Sequence, residues 1–270
     1  MNKRLRVVLN ILLAALVAAG LFALLRQRQN WREGEEARDR AVQTVRFAPP
    51  EPSAPSAPAQ KNSPPEPVPA TGSKDPVAKE LMELDLGALT AENGDVAGWI
   101  YLPGTDISYP LLQGADNDYY LKHTWEKKWN AGGSIFLDSR AARGLTDFHT
   151  VIYGHRMNNG SMFAPLKEYA DPDFCREHPY IYIADGALVR RYEIFAVWEP
   201  SVDSLVYTSE CASAEDRQAL IDLCVGGSEV DTGVRPGPED HLLTLSTCTG
   251  RGHATRWVVQ GRLEQTWEAE

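Results

Sequence analysis

Basic side chains are scarce in this chain: 27 Lys and Arg stand against 37 Asp and Glu, for a formal net charge of −10. No basic patch follows a nucleic-acid pattern, which excludes that class of partner. Cysteine is scarce too. The four, Cys175, Cys211, Cys224 and Cys248, do not fall at zinc-ligand spacings, so neither a metal nor another cofactor is expected. If one of them is a free nucleophile, three remain, and three cannot all pair; the others then read as small buried apolar residues. Two long stretches each lack a whole class of side chain. Residues 7–25 carry no charge and only Asn10 as a polar side chain. Residues 48–76 hold little beyond Pro, Ala, Ser and charge.

The first stretch is 19 residues of apolar sequence, long enough to cross a bilayer as a helix. Lys3, Arg4 and Arg6 precede it and Arg26, Arg28 and Arg32 follow. A cleaved signal peptide is the alternative, but the run is longer than a usual apolar signal core and the basic residues after it make a poor cleavage site. The expectation is an uncleaved single-pass anchor, with residues 1–6 cytoplasmic and the rest of the chain outside the cell. Residues 26–46 are charged and could continue as a helix out of the membrane. Residues 48–76 cannot bury a core and read as an extended, disordered spacer. About 30 residues at ~3.1 Å each reach on the order of 90 Å. The expected division is therefore anchor 7–25, linker 26–76, catalytic domain 77–264 and a C-terminal tail 265–270.

Hydrophobic content of 43% is enough for a real core. Residues 77–89 space their apolar side chains as a helix does. Strands are predicted at 98–102, 107–111, 133–138, 149–153, 180–184 and 188–198, and a helix at 161–169. Residues 213–224 give the clearest helix, with Ser213 as N-cap and Asp216 in the capping-box position. Two further strands flank a glycine-containing loop within 242–263. Many short strands with few helices predict a mostly β domain built as a closed or nearly closed barrel.

The last two strands hold the chemistry. Cys248 ends the first and Arg256 opens the second. Gly250 and Gly252 in the loop tolerate the backbone angles of a tight reversal. Paired as a hairpin, the strands bring Cys248 and Arg256 together, and a cation beside a thiol favours the thiolate. Such a nucleophile needs a proton donor. His155 follows the strand 149–153, which gives it a rigid base. His253 is its rival, close to Cys248 in sequence but in a loop expected to be solvated. Ser246 and Thr247 flank the nucleophile and are candidate substrate contacts. With reference pKa values near 8.5 and 6.5, about 3% of the thiol and ~25% of the imidazole are in the reactive form at pH 7, so an unassisted pair would be slow.

Tyr153-Gly154-His155, the run Thr244 to Cys248 (TLSTC) and the later Arg256 together resemble the signature of a class B sortase. The resemblance extends over roughly residues 77–263, including GWIYLPGTDISYPLLQ, DNDYYL and GSIFLDSR. It implies an eight-stranded sortase-type barrel with an N-terminal helical extension and a helix inserted late, at 213–224. It also implies a membrane-anchored cysteine transpeptidase of a Gram-positive-type cell, with His155, Cys248 and Arg256 as catalytic residues. Its partners would be surface proteins bearing a sorting signal, and an amine of a peptidoglycan precursor or a pilin. Two other readings stay open on the residues alone: a cysteine endopeptidase that uses water, and an anchored binding module in which Cys248 is unreactive.

Overall fold

The computed structural model describes residues 3–46, 75–207, 211–250, 252 and 254–268. Alternating apolar residues build eight strands: β1 (Val96–Tyr101), β2 (Ser108–Leu112), β3 (Ile135–Leu137), β4 (His149–Tyr153), β5 (Tyr180–Ala184), β6 (Leu188–Trp198), β7 (Leu242–Cys248) and β8 (Arg256–Glu268). They close into one barrel in the order β1-β2-β3-β4-β7-β8-β6-β5. An eight-stranded barrel is just wide enough for side chains to fill its interior. Here Ile100, Leu111, Ile152, Ile183, Ile194, Leu245 and Val259 do so, within a single buried cluster.

Two pairs, β2 with β3 and β4 with β7, run parallel. Parallel neighbours need long connections, and the one from β4 to β7 carries two helices as well as β5 and β6. The helix α5 (Ala214–Gly227) lies between β6 and β7 and packs on the outer side chains Phe195, Trp198, Leu242 and Val258. Its start matches expectation. The Ser213 hydroxyl accepts the Asp216 N–H at 3.1 Å, and the Asp216 carboxylate accepts the Ser213 N–H at 3.3 Å. Removing such a cap typically costs about 1 kcal/mol.

The opposite outer face, with Trp99, Tyr101, Phe136 and Tyr182, is covered by the N-terminal helices. The predicted helix at 77–89 is two helices, α2 (Pro76–Met82) and α3 (Leu86–Glu92). Asp75 caps the first and Asp85 the second, each accepting backbone N–H groups, so the chain stops and restarts between them. The predicted helix at 161–169 is a 3₁₀ helix over Ala164–Ala170, followed by a short helix, α4 (Pro172–Glu177), that the sequence reading did not anticipate.

Both edges of the expected domain need correction. α1 (Lys3–Val45) runs without a break from the apolar segment into the charged one, so residues 26–45 are no free linker. Ala37, Ala41 and Val45 of α1 are buried against the barrel side. Asp75 also belongs to the fold: its carboxylate accepts the Tyr182 hydroxyl at 2.8 Å and pairs with Arg191. At the other end, residues 265–268 are no tail. They finish β8, with Val189 opposite Trp267 and Trp267 buried. The proline-rich stretch lies outside the described residues.

Candidate active site

Strand register assembles the site. β7 and β8 are antiparallel neighbours, and Cys248 stands opposite Arg256. β4 runs parallel to β7 with Tyr153 beside Ser246, so the chain leaving β4 carries His155 to the level of Cys248. Gly154 makes that exit possible: a Cβ there would meet the Phe163 ring at 2.6 Å, far inside contact distance. All three residues proposed from the sequence therefore meet at one end of the barrel. His253 lies outside the described residues.

His155 and Cys248, both half-buried, lie close enough that each shifts the pKa of the other. A backbone contact of the ring fixes which nitrogen is free to meet the sulfur. His155 Nε2 is 2.8 Å from the carbonyl oxygen of Leu121, and a carbonyl only accepts, so Nε2 carries the hydrogen. Nδ1 is left for the sulfur. Leu121 closes a 3₁₀ turn, Tyr119–Leu121, in the loop between β2 and β3. No side-chain signal marks a backbone carbonyl, and the sequence reading missed it.

The thiol and the imidazole shift each other. The hydrogen bond to His155 holds the Cys248 thiol below its ordinary range; burial opposes this, and the Arg256 charge adds to it. His155 is raised chiefly by the same hydrogen bond, against burial and with help from the Leu121 carbonyl. Both shifts enlarge the thiolate–imidazolium population over that of an unassisted pair. Contrary to the expectation that the Arg256 cation is what favours the thiolate, the His155 partner lowers the thiol more than the Arg256 charge does. The other thiols move the opposite way, with burial pushing Cys175 up to about 11 and Cys224 up to about 12.

Ser246 and Thr247 are 2% and 3% exposed, so neither offers substrate an open side chain, contrary to expectation. The Ser246 hydroxyl shares a 3.0 Å hydrogen bond with that of Tyr207, which lies within electrostatic reach of both Arg256 and Cys248. Tyr207 ends a 3₁₀ turn between β6 and α5, in an irregular stretch with no pattern to reveal it. Arg156, next to His155, donates to the Thr249 carbonyl just beyond Cys248 and so ties the two catalytic loops together.

Comparison with known proteins gives the family of the domain. The sortase domain family model matches residues 100–264. A sortase B of Listeria monocytogenes is 38% identical over 181 residues, 66% of this chain and 74% of that protein. Among solved structures, sortase B from B. anthracis in complex with AAEK1 superposes with a TM-score of 0.68 at 25% identity, covering 88% of this chain and 99% of that one. Sortase B of Staphylococcus aureus superposes with a TM-score of 0.63 at 27% identity, covering 67% and 86%.

Proposed function

The chain belongs to the sortase family, in class B, a group of cell-wall sorting transpeptidases, and we propose that it works as a membrane-anchored enzyme through Cys248, His155 and Arg256. The observation that carries this reading is the strand register that brings His155 to the level of Cys248 and sets Arg256 directly opposite the sulfur-bearing residue. The Cys248 thiol gives its proton to Nδ1 of His155. The thiolate attacks a peptide carbonyl within a C-terminal sorting signal, and the carbon–sulfur bond forms as the carbonyl oxygen takes the negative charge. Arg256 holds that oxyanion with directed N–H donors, an interaction that strengthens as charge develops. His155 then donates its Nδ1 proton to the departing amine, and the carbon–nitrogen bond breaks.

A thioacyl-enzyme remains. An amine of the cell wall or of a pilin attacks it, His155 takes the proton of that amine, and the thiolate leaves. The Leu121 carbonyl keeps Nε2 protonated throughout, so the working nitrogen never turns away from the sulfur. It is a neutral counterpart of the carboxylate that orients histidine in other triads. Water attack would give hydrolysis instead of transfer.

α1 is the one helix among the described residues long and apolar enough to cross a membrane. We place it there as an uncleaved anchor, with the barrel outside the cell. Mass spectrometry of the intact enzyme after incubation with a library of candidate sorting peptides tests the reaction. A thioacyl adduct on Cys248 that an added amine, but not water alone, discharges quickly is the expected result. An adduct discharged equally fast by water would make the protein an endopeptidase, and no adduct from any peptide would leave only a binding role.

A further inference from the structure

The contacts of α1 with the rest of the fold are spread along its length, and midway Arg38 donates to the Asp106 and Ser108 carbonyls at the Cys248–His155 end of the barrel. Nearest the apolar run, the carbonyl oxygen of Asn30 accepts from Asn130 Nδ2 at 2.7 Å, and Asn30 Oδ1 accepts the Ala131 N–H at 2.9 Å. Glu35 then accepts from Asn159 at 2.9 Å. Further along, the Ala37 carbonyl accepts the Trp125 indole N–H at 2.7 Å, and Arg40 holds both oxygens of Glu126. These contacts connect parts of the molecule, some of them 100 residues apart or more in sequence, and tie α1 to the barrel at several points.

The same contacts locate the catalytic end. Residues 122–130 form a small hairpin, in which the Asn130 N–H reaches the Lys122 carbonyl and the Thr124 N–H the Lys128 carbonyl. Its tip, Trp125 and Glu126, lies beside Ala37 and Arg40 of α1, and its base lies beside Asn30. Leu121, whose carbonyl holds His155, is one residue beyond that base. Asn159, at the level of Glu35, is four residues beyond His155. The far end of the barrel maps to the other end of α1. Gln113 bonds to the Asp95 carbonyl and to the loop ahead of β4 at Ala141, and Asp95 pairs with Lys127 at the hairpin tip.

We infer that α1 is a rigid strut that holds the barrel with its Cys248–His155 end turned toward the lipid headgroups, and the start of β4 turned away. The inference rests on the membrane-anchor reading of α1. From Leu25, the last apolar residue, five helical residues reach Asn30 and ten reach Glu35, roughly 8 and 15 Å at 1.5 Å per residue. Headgroup regions are ~6 Å deep on each side of the hydrocarbon. The active-site mouth therefore opens just above the headgroups. The exposed apolar surface fits this placement. Tyr119, Trp129, Val202 and Leu205 are 37%, 62%, 36% and 53% exposed. The first two flank the Leu121 loop. The other two lie in the loop whose residues Ser201 and Val202 bond to Thr255 and Ala254. Aromatic side chains favour that interfacial zone. A cleft so placed takes substrates already held at the membrane surface, and the proline-rich stretch between α1 and α2 cannot carry it outward.

The full chain, reconstituted into phosphatidylcholine–phosphatidylglycerol vesicles with rhodamine-labelled headgroups, tests this. A fluorescent non-natural amino acid is placed at Asn158, beside the active site, or at Thr146, ahead of β4; both positions are exposed. Energy transfer severalfold stronger from Asn158 is expected, whichever way the protein inserts. Ala37→Glu with Ala41→Glu, which wedges charge into the buried seam of α1, should erase the difference between the two positions. Co-sedimentation with equal or reversed transfer overturns the strut while leaving the anchor intact. A protein that remains in the supernatant overturns the anchor and the strut together.

Discussion

His155 Nε2 donates to the Leu121 carbonyl oxygen at 2.8 Å, and this one bond decides which face of the imidazole meets Cys248. It ties the nucleophile's partner to the loop between β2 and β3, which is itself pinned to α1. The proton chemistry at the end of β4 and the placement of the domain on its helix thus share a support.

The first prediction concerns the thiol. The rate of Cys248 alkylation by iodoacetamide should rise with pH through a midpoint below that of an ordinary thiol, because the partner hydrogen bond and the Arg256 charge outweigh burial. His155→Ala removes the larger cause and leaves the burial, so its midpoint should move up further than that of Arg256→Ala. His155→Ala should also abolish transpeptidation, whereas His253→Ala should keep most of it. A midpoint that responds more to Arg256 than to His155 would reverse the assignment of what activates the sulfur.

The second concerns the boundaries. A chain covering residues 75–268 should melt well above one covering 77–264. The shorter chain loses the Asp75 carboxylate from Arg191 and the buried indole of Trp267. Removing a buried Trp side chain alone typically costs about 3–5 kcal/mol. Adding back the docked half of α1 by starting at Asn30 should raise the melting temperature again, since Ala37, Ala41 and Val45 regain their burial. Equal melting temperatures for the two shorter chains would refute the extended edges.

The third concerns acid stability. His149 is half-buried at the start of β4 with Nε2 2.7 Å from the Thr244 hydroxyl, and loss of solvation pushes its pKa down to about 4. Its folded value lies below its unfolded value near 6.5. The unfolded chain therefore binds the extra proton first, and stability is lost as pH falls from about 6.5 toward 4. The contribution is on the order of 3 kcal/mol. His149→Gln should flatten that part of the melting-temperature profile between pH 7 and 4.5. A variant with the parent's slope would show that other groups set the acid limit.

Much of this was legible in the sequence, for identifiable reasons. β4, β5 and β6 begin and end where simple alternation places them, and the register of β7 on β8 follows from two strands and one short loop. The docking of α1 was hidden because its buried stripe is Ala37, Ala41 and Val45, small side chains that leave little apolar signal amid Glu, Arg and Asp. The end of β8 was hidden by an irregularity: the register shifts where Arg191 faces Gln265 and Tyr192 faces Leu263, which breaks the alternation ahead of Trp267. The Leu121 carbonyl could not be seen at all, since every residue has one.

The last prediction separates two roles for Arg256. Arg256→Lys keeps the charge but loses the planar fork of donors. Were Arg256 only a positive charge near the thiol, lysine would largely replace it. The charge ranks below the His155 hydrogen bond among the causes that lower the Cys248 thiol, so activation of the sulfur is not where Arg256 matters most. Directed hydrogen bonds to the oxyanion are the stronger use of a guanidinium directly opposite the nucleophile, and losing one such donor typically costs about 10²–10³ in rate. Arg256→Lys and Arg256→Ala should therefore both fall by at least about 10² in kcat/KM. Melting should barely move, because a substitution away from buried features usually stays within about 0.5 kcal/mol. Near-normal turnover in Arg256→Lys would reduce the residue to a distant charge. Near-normal turnover in Arg256→Ala would take it out of the active site and leave the oxyanion to backbone donors alone.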